Sequence, residues 1–112
     1  MKMPGCERAV VDMAKVSEYL LNAEHPDNGG KAQFFFSLGF SRASCQVLID
    51  SLGSVAVTGA VVKTVETPHG SKYIIDGRIA SPAGREAGLR TVWVVDRGQQ
   101  SPRLVTAYPL EE

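Results

Sequence analysis

Residues 59–79 read GAVVKTVETPHGSKYIIDGRI, and the change of apolar period at Gly59 decides the fold. Beyond that glycine the residues become β-branched and alternate, the pattern of strands whose side chains point to opposite faces in turn. Val61–Glu66 and Lys72–Ile79 flank Pro68-His69-Gly70, a turn sequence, and so predict a hairpin. In its second strand Tyr73, Ile75 and Ile79 share one face while Lys72, Asp76 and Arg78 share the other, which leaves one side of the sheet wet. Towards the C-terminus a loop at Ser81–Gly88 leads to a third strand, Leu89–Asp96. Arg97–Ser101 then turns the chain into a fourth, Arg103–Tyr108. Pro102 and Pro109 bracket that last strand and suit a sheet edge, because proline donates no ladder hydrogen bond.

Before Gly59 the spacing is helical. Met13, Val16 and Leu20 recur at three and four, Lys15, Glu18 and Asn22 fall opposite, and Asp12 is placed to cap the helix. This helix is expected to end before His25-Pro26, since a residue preceding proline is driven out of the α region. A second fits Lys31–Leu38, stopped by Gly39, and a third runs from Ser44 to Thr58 with Leu48, Ser51, Leu52 and Val55 inward. The expectation is an α+β fold, three N-terminal helices packed on a four-stranded antiparallel sheet, forming a single domain over residues 10–110 behind a flexible leader at 1–9.

At 112 residues, 44% hydrophobic and 21% charged, the chain can bury a core without staples. Two cysteines, Cys6 and Cys45, make no disulfide framework and read as free thiols, and no apolar run or leader points to a membrane or to export, so a cytoplasmic protein is expected. Twelve basic and twelve acidic residues cancel, so no overall field draws the chain to nucleic acid. Residues 60–110 are nevertheless locally basic, with seven cations against four anions. No cofactor is called for. A zinc site from Cys6, Cys45, His25 and His69 lacks paired close ligands, and no metal is expected.

Two constellations carry chemistry. The first is HPDNGGK, His25 to Lys31, where glycines free the backbone and the N–H groups of the next helix are placed to hold an anion. Lys31 is the informative residue, because a cation in a first helical turn opposes the macrodipole and calls for an acidic neighbour, with Asp27 the plain choice, or for an anionic ligand. The second joins Arg90-Thr91-Val92-Trp93 to Arg103–Tyr108. If Thr91 opposes Thr106, then Trp93, Thr106 and Tyr108 share a face; if Val92 opposes Thr106, Arg90 joins Thr106 and Tyr108 instead. The plain alternative is that Trp93 and Tyr108 fill the core and Arg103 is solvated. His69 reads as a turn residue. Phe34, Phe35, Phe36 and Phe40 are too contiguous for one helical face, so some pack on the sheet and one is left for a partner.

The run of YLLN, HP, GGKA, FFFSLGF, TVW and PRLVTAYP resembles the small bacterial family termed domain of unknown function 6883, over about Val10 to Leu110. Its members look like free-standing small proteins or C-terminal modules of large secreted polymorphic toxins. The element order is also similar to the ribonuclease group of barnase, EndoU, colicin-type tRNases and RelE toxins. The family pattern falls on His25, Lys31, Gly39, Gly77, Gly84, Thr91, Trp93, Arg103, Thr106 and Tyr108. What the resemblance implies is a metal-independent ribonuclease or ribonuclease-like toxin domain. In it His25 is acid or base with Tyr108 as partner, Lys31 and Arg103 hold phosphate, Thr91 and Thr106 donate hydrogen bonds, and Trp93 stacks a base. RNA is then the partner. The alternative is a non-catalytic module binding a cognate antitoxin- or immunity-like protein through the open sheet face or an edge strand. Convergence of His25, Lys31, Arg103 and Tyr108 in one cleft is the geometric test of the enzyme.

Overall fold

From Gly59 onward the chain runs as an antiparallel meander in a computed structural model that describes residues 2–110. Strands β1 (Ala60–Thr67), β2 (Gly70–Ala80), β3 (Glu86–Asp96) and β4 (Arg103–Pro109) lie side by side in sequence order. The hairpin forms where expected, closed by Thr67 against Gly70, and the Thr67 hydroxyl accepts the His69 N–H at the tip. β1 and β2 run past both predicted ends and β3 and β4 past one each, the end of β3 at Asp96 and the start of β4 at Arg103 falling where expected, because ladder hydrogen bonds reach into the flanking turns.

Three helices precede the sheet. α1 is α-helical over Met13–Lys15 and continues as a π turn over Val16–Leu20, α2 spans Lys31–Ser37, and α3 spans Cys45–Thr58. Asp12 caps α1, its carboxylate accepting the Ala14 N–H at 2.8 Å. Gly39, at φ 93°, stops α2 in the left-handed conformation that a side chain disfavours. α1 ends before His25-Pro26 as expected, five residues ahead of His25: the π turn closes with the Leu21 N–H donating to the Val16 carbonyl, and the chain then winds through tight turns to Lys31.

The core lies between the helices and the inner face of the sheet. Leu20, Phe35, Leu48, Leu52, Val55, Ile75, Ile79, Leu89 and Trp93 are buried there. Of the inward positions expected on the helices, Met13 is the exception, 54% exposed, because the switch to π geometry rotates the first turn off the stripe that Val16 and Leu20 follow. Phe35 and Phe40 enter the core, Phe34 packs on its margin and Phe36 faces solvent.

Residues 1–9, expected as a flexible leader, are packed where described: Met3 and Cys6 belong to the core, Cys6–Arg8 forms a 3-10 turn, and Val10 bridges to Arg103 beside β4. Those bonds, from Val10 N–H to the Pro102 carbonyl and from Leu104 N–H to the Val10 carbonyl, cover the start of an otherwise open edge. No helix among the described residues is long and apolar enough to cross a membrane.

Candidate functional site

The β3–β4 register settles the second constellation. Val92 opposes Thr106 and Arg90 opposes Tyr108, with a bulge on β4 opposite the Val92–Trp93 step. Thr91 and Trp93 therefore face inward, both fully buried, and Trp93 Nε1 donates to Thr91 Oγ1 at 2.7 Å while that hydroxyl donates to the Ile75 carbonyl. This corrects the expectation that Thr91 and Trp93 hold substrate: their polar atoms satisfy each other inside the core, out of reach of RNA.

Arg103 departs from the expected cleft as well. Its guanidinium binds Asp96 through both Nε (2.7 Å) and a terminal nitrogen (3.1 Å), and each partner stabilises the other's charge, holding the Asp96 carboxyl below its usual range. Tyr108 lies at the far end of β4, about 16 Å along the strand from Arg103 at roughly 3.3 Å per residue. There it neighbours Arg90, whose guanidinium is gripped at 2.7 and 2.8 Å by the Asp76 carboxylate and thereby held more firmly protonated. His25, Lys31, Arg103 and Tyr108 do not converge.

A different set does. A cavity of about 480 Å³ is lined by Lys15, Tyr19, His25, Asp27, Val105 and Thr106. The Tyr19 hydroxyl meets Thr106 Oγ1 at 3.1 Å, and the His25 ring stands edge-on to the Tyr19 ring at 5.0 Å between centroids. Two ammonium groups reach the same tyrosine, Lys15 Nζ at 5.4 Å and Lys31 Nζ at 5.6 Å from its centroid. Two of the expected residues, His25 and Thr106, thus share one cleft, with Lys31 at its side. A second cavity of about 390 Å³, walled by Phe40, Val47, Ala80 and Pro82, has no titratable side chain in its lining.

The charge balance of the cleft is cationic. Lys31 does not pair with the Asp27 carboxylate; its ammonium donates to the Asp27 and Asn28 carbonyls at 3.4 and 3.2 Å. Among the described residues neither Lys15 nor Lys31 lies in an ion pair. Two of the helix N–H groups expected to hold an anion are already used, that of Lys31 by the Asn28 carbonyl and that of Ala32 by Asn28 Oδ1 at 2.9 Å. His25 Nδ1 accepts the Asp27 N–H at 3.1 Å, an arrangement that leaves Nε2 as the ring's N–H donor.

Sequence reasoning missed Tyr19 and Lys15. The signals available were the place of Tyr19 at the head of the YLLN run and its i, i+4 spacing from Lys15, a residue read as solvated. Among the described residues no three histidine, cysteine or carboxylate side chains gather closely enough to hold a metal ion.

A family model described as Domain of unknown function (DUF6883) matches residues 2–111. No curated protein matches. Among solved structures, a chain of the "Contact-dependent growth inhibition toxin - immunity protein complex from Klebsiella pneumoniae 342" superposes with a TM-score of 0.75 at 19% identity, covering 98% of this chain and 100% of that one, a likeness of fold.

Proposed function

This chain belongs to the DUF6883 family, and from its cationic cleft we propose a toxin-type domain that binds RNA phosphates beside Tyr19 and cleaves the backbone without a metal. The observation that carries this reading is the gathering of two ammonium groups unpaired by carboxylate, a histidine and a hydroxyl pair around one open cavity. The described exposed large apolar side chains, Val10, Met13, Phe36, Val47, Val57 and Val62, are spread from the segment before α1 through α1, α2 and α3 to β1, with only Val47 and Val57 sharing an element, which favours the cleft over a purely adhesive surface.

RNA carries its own nucleophile, so the protein need only move protons and stabilise charge. Lys15 and Lys31 hold the phosphate, and His25 donates to it from Nε2 because Nδ1 is taken by the Asp27 N–H. The Tyr19–Thr106 pair relays the proton. As the 2′-oxygen attacks phosphorus its proton passes to one hydroxyl, that hydroxyl passes its own across the 3.1 Å hydrogen bond to the other, the other releases its proton to the departing 5′-oxygen, and the P–O5′ bond breaks, leaving both hydroxyls neutral. The products are a 2′,3′-cyclic phosphate and a 5′-hydroxyl. A cognate protein that silences such a domain would present carboxylates to the same two ammonium groups, and in this reading that is the immunity-like partner.

Total RNA incubated with the protein in a chelator tests the proposal. Wild type is expected to give cyclic-phosphate ends, and Tyr19→Phe to slow cleavage by about 10²-fold or more, the usual worth of a positioned proton-transfer group. Lys31→Ala is expected to weaken substrate binding, and Arg103→Ala to cut at the wild-type rate. Intact RNA at high concentrations of folded protein would overturn the reading.

A further inference from the structure

We infer that Asn28 is the positioning residue of this cleft, setting Tyr19, His25 and Lys31 relative to one another; the inference rests on the cleft being the functional site. Asn28 is 1% exposed, one of two buried polar residues among those described, and its hydrogen-bonding groups are engaged. Its Nδ2 donates to the Tyr19 carbonyl at 2.6 Å and to the Leu20 carbonyl at 3.3 Å, and its Oδ1 accepts the Ala32 N–H. Its own N–H donates to the His25 carbonyl, and its carbonyl accepts from both the main chain and the ammonium of Lys31.

One side chain therefore ties the end of the π turn to the start of α2, and its main chain ties the His25 loop to Lys31. The geometry needs an amide. The donor half must face two carbonyls and the acceptor half an N–H, which a carboxylate cannot do and a protonated carboxyl, with a single O–H, can do for one of the two carbonyls. Tyr19 and Leu20 end a π turn; the Tyr19 carbonyl also accepts the Asn22 N–H at 3.2 Å, while the buried Leu20 carbonyl takes its hydrogen bond from Nδ2. Asn28 touches no substrate in this scheme and acts through the residues it holds.

Asn28→Asp turns this into a titration. At acid pH the protonated carboxyl donates to the Tyr19 carbonyl as the amide does; as pH rises and the group ionises, carboxylate faces carbonyl and the link breaks. The titratable groups around it are His25 and Asp27 on the loop, Lys31 on α2, and Tyr19 with Lys15 on α1, and wild type measured at each pH accounts for them. The readouts are the Tyr19–His25 ring contact by NMR and RNA cleavage relative to wild type at the same pH, with emission of Trp93, the only tryptophan, monitoring the core. The variant is expected to keep the ring contact in acid and lose it on ionisation, with cleavage falling at least about tenfold while the Trp93 emission holds. Ring contact and relative cleavage equal to wild type at both pH values would overturn the inference.

Should the ionised variant unfold, the comparison moves to acid pH. There Asn28→Asp is expected to match wild type and the similarly sized Asn28→Leu to lose the ring contact; a retained contact in the leucine variant overturns the inference. A wild type that cuts no RNA but whose ring contact depends on Asn28 in this way refutes the ribonuclease reading and supports the positioning role.

Discussion

Thr91 and Arg103 show how far a polar residue's partners decide its meaning. Thr91 is a small hydroxyl on a strand, yet inside this core it is, among the described residues, the sole hydrogen-bond partner of the Trp93 indole. Thr91→Val is expected to leave that N–H buried and unpaired and to cost about 1–3 kcal/mol in denaturant unfolding, while RNA cleavage per folded molecule stays unchanged. Loss of cleavage without loss of stability would return Thr91 to the site. Arg103 holds Asp96 ionised, so the sign of its pH dependence follows. The Asp96 carboxyl titrates lower in the folded chain than in the unfolded one. Its contribution is present above the unfolded value and lost as pH falls through the folded one. Arg103→Ala should lower Tm slightly at neutral pH, as an exposed pair allows, and not at all once Asp96 is protonated. A Tm difference that persists in strong acid would show that Arg103 acts by packing instead.

At the scale of elements, α3 docks on β2 through glycines. Gly59, where the apolar period of the sequence changes, has an ordinary φ of −75°; what demands a glycine is proximity, since a Cβ there would lie 2.5 Å from Ile75 Cγ2 and 2.7 Å from the Val55 carbonyl oxygen. Gly77 faces Val55 across the same contact. Gly53, in the middle of α3, has nothing within 4 Å of its would-be Cβ. The same substitution is therefore expected to act with opposite signs: Gly59→Ala destabilising by about 1–3 kcal/mol through overpacking, Gly53→Ala stabilising by roughly 0.5–1 kcal/mol through helix propensity. Two chemical denaturation curves decide it, and equal shifts for both variants would contradict the docking geometry. The π turn of α1 is a second device at this scale, because it turns Tyr19 towards Thr106 while Val16 and Leu20 stay in the core.

For the molecule as a whole, the cleft draws on α1, the turns before α2 and β4, segments 87 residues apart in sequence at the Tyr19–Thr106 contact. A protein of zero formal charge has little long-range attraction for RNA, so binding must come from the local cations. Affinity for a single-stranded oligonucleotide is thus expected to fall with salt, and Lys15→Ala or Lys31→Ala each to flatten the logarithmic slope by about 0.7, one phosphate contact apiece. An unchanged slope in both variants would place RNA elsewhere on the surface.

The sequence by itself determined the α+β class, the hairpin at Pro68-His69, the four antiparallel strands and the order of helices before strands. Those features are written in local periodicity, turn chemistry and caps, which neighbouring residues impose on one another. His25, Lys31 and Thr106 were also legible as residue types suited to phosphate. Only the tertiary structure decided the rest. The β3–β4 register, displaced by one bulge, sent Thr91 and Trp93 inward; the Asp96 pairing took Arg103 away from the site; and the π turn brought in Tyr19 and Lys15. Asn28 looked like part of a flexible loop and proved to be its buried anchor. The physical reason is common to all of them: a one-residue shift in register or helical phase changes which face a side chain occupies, and that shift is set by packing across the whole core.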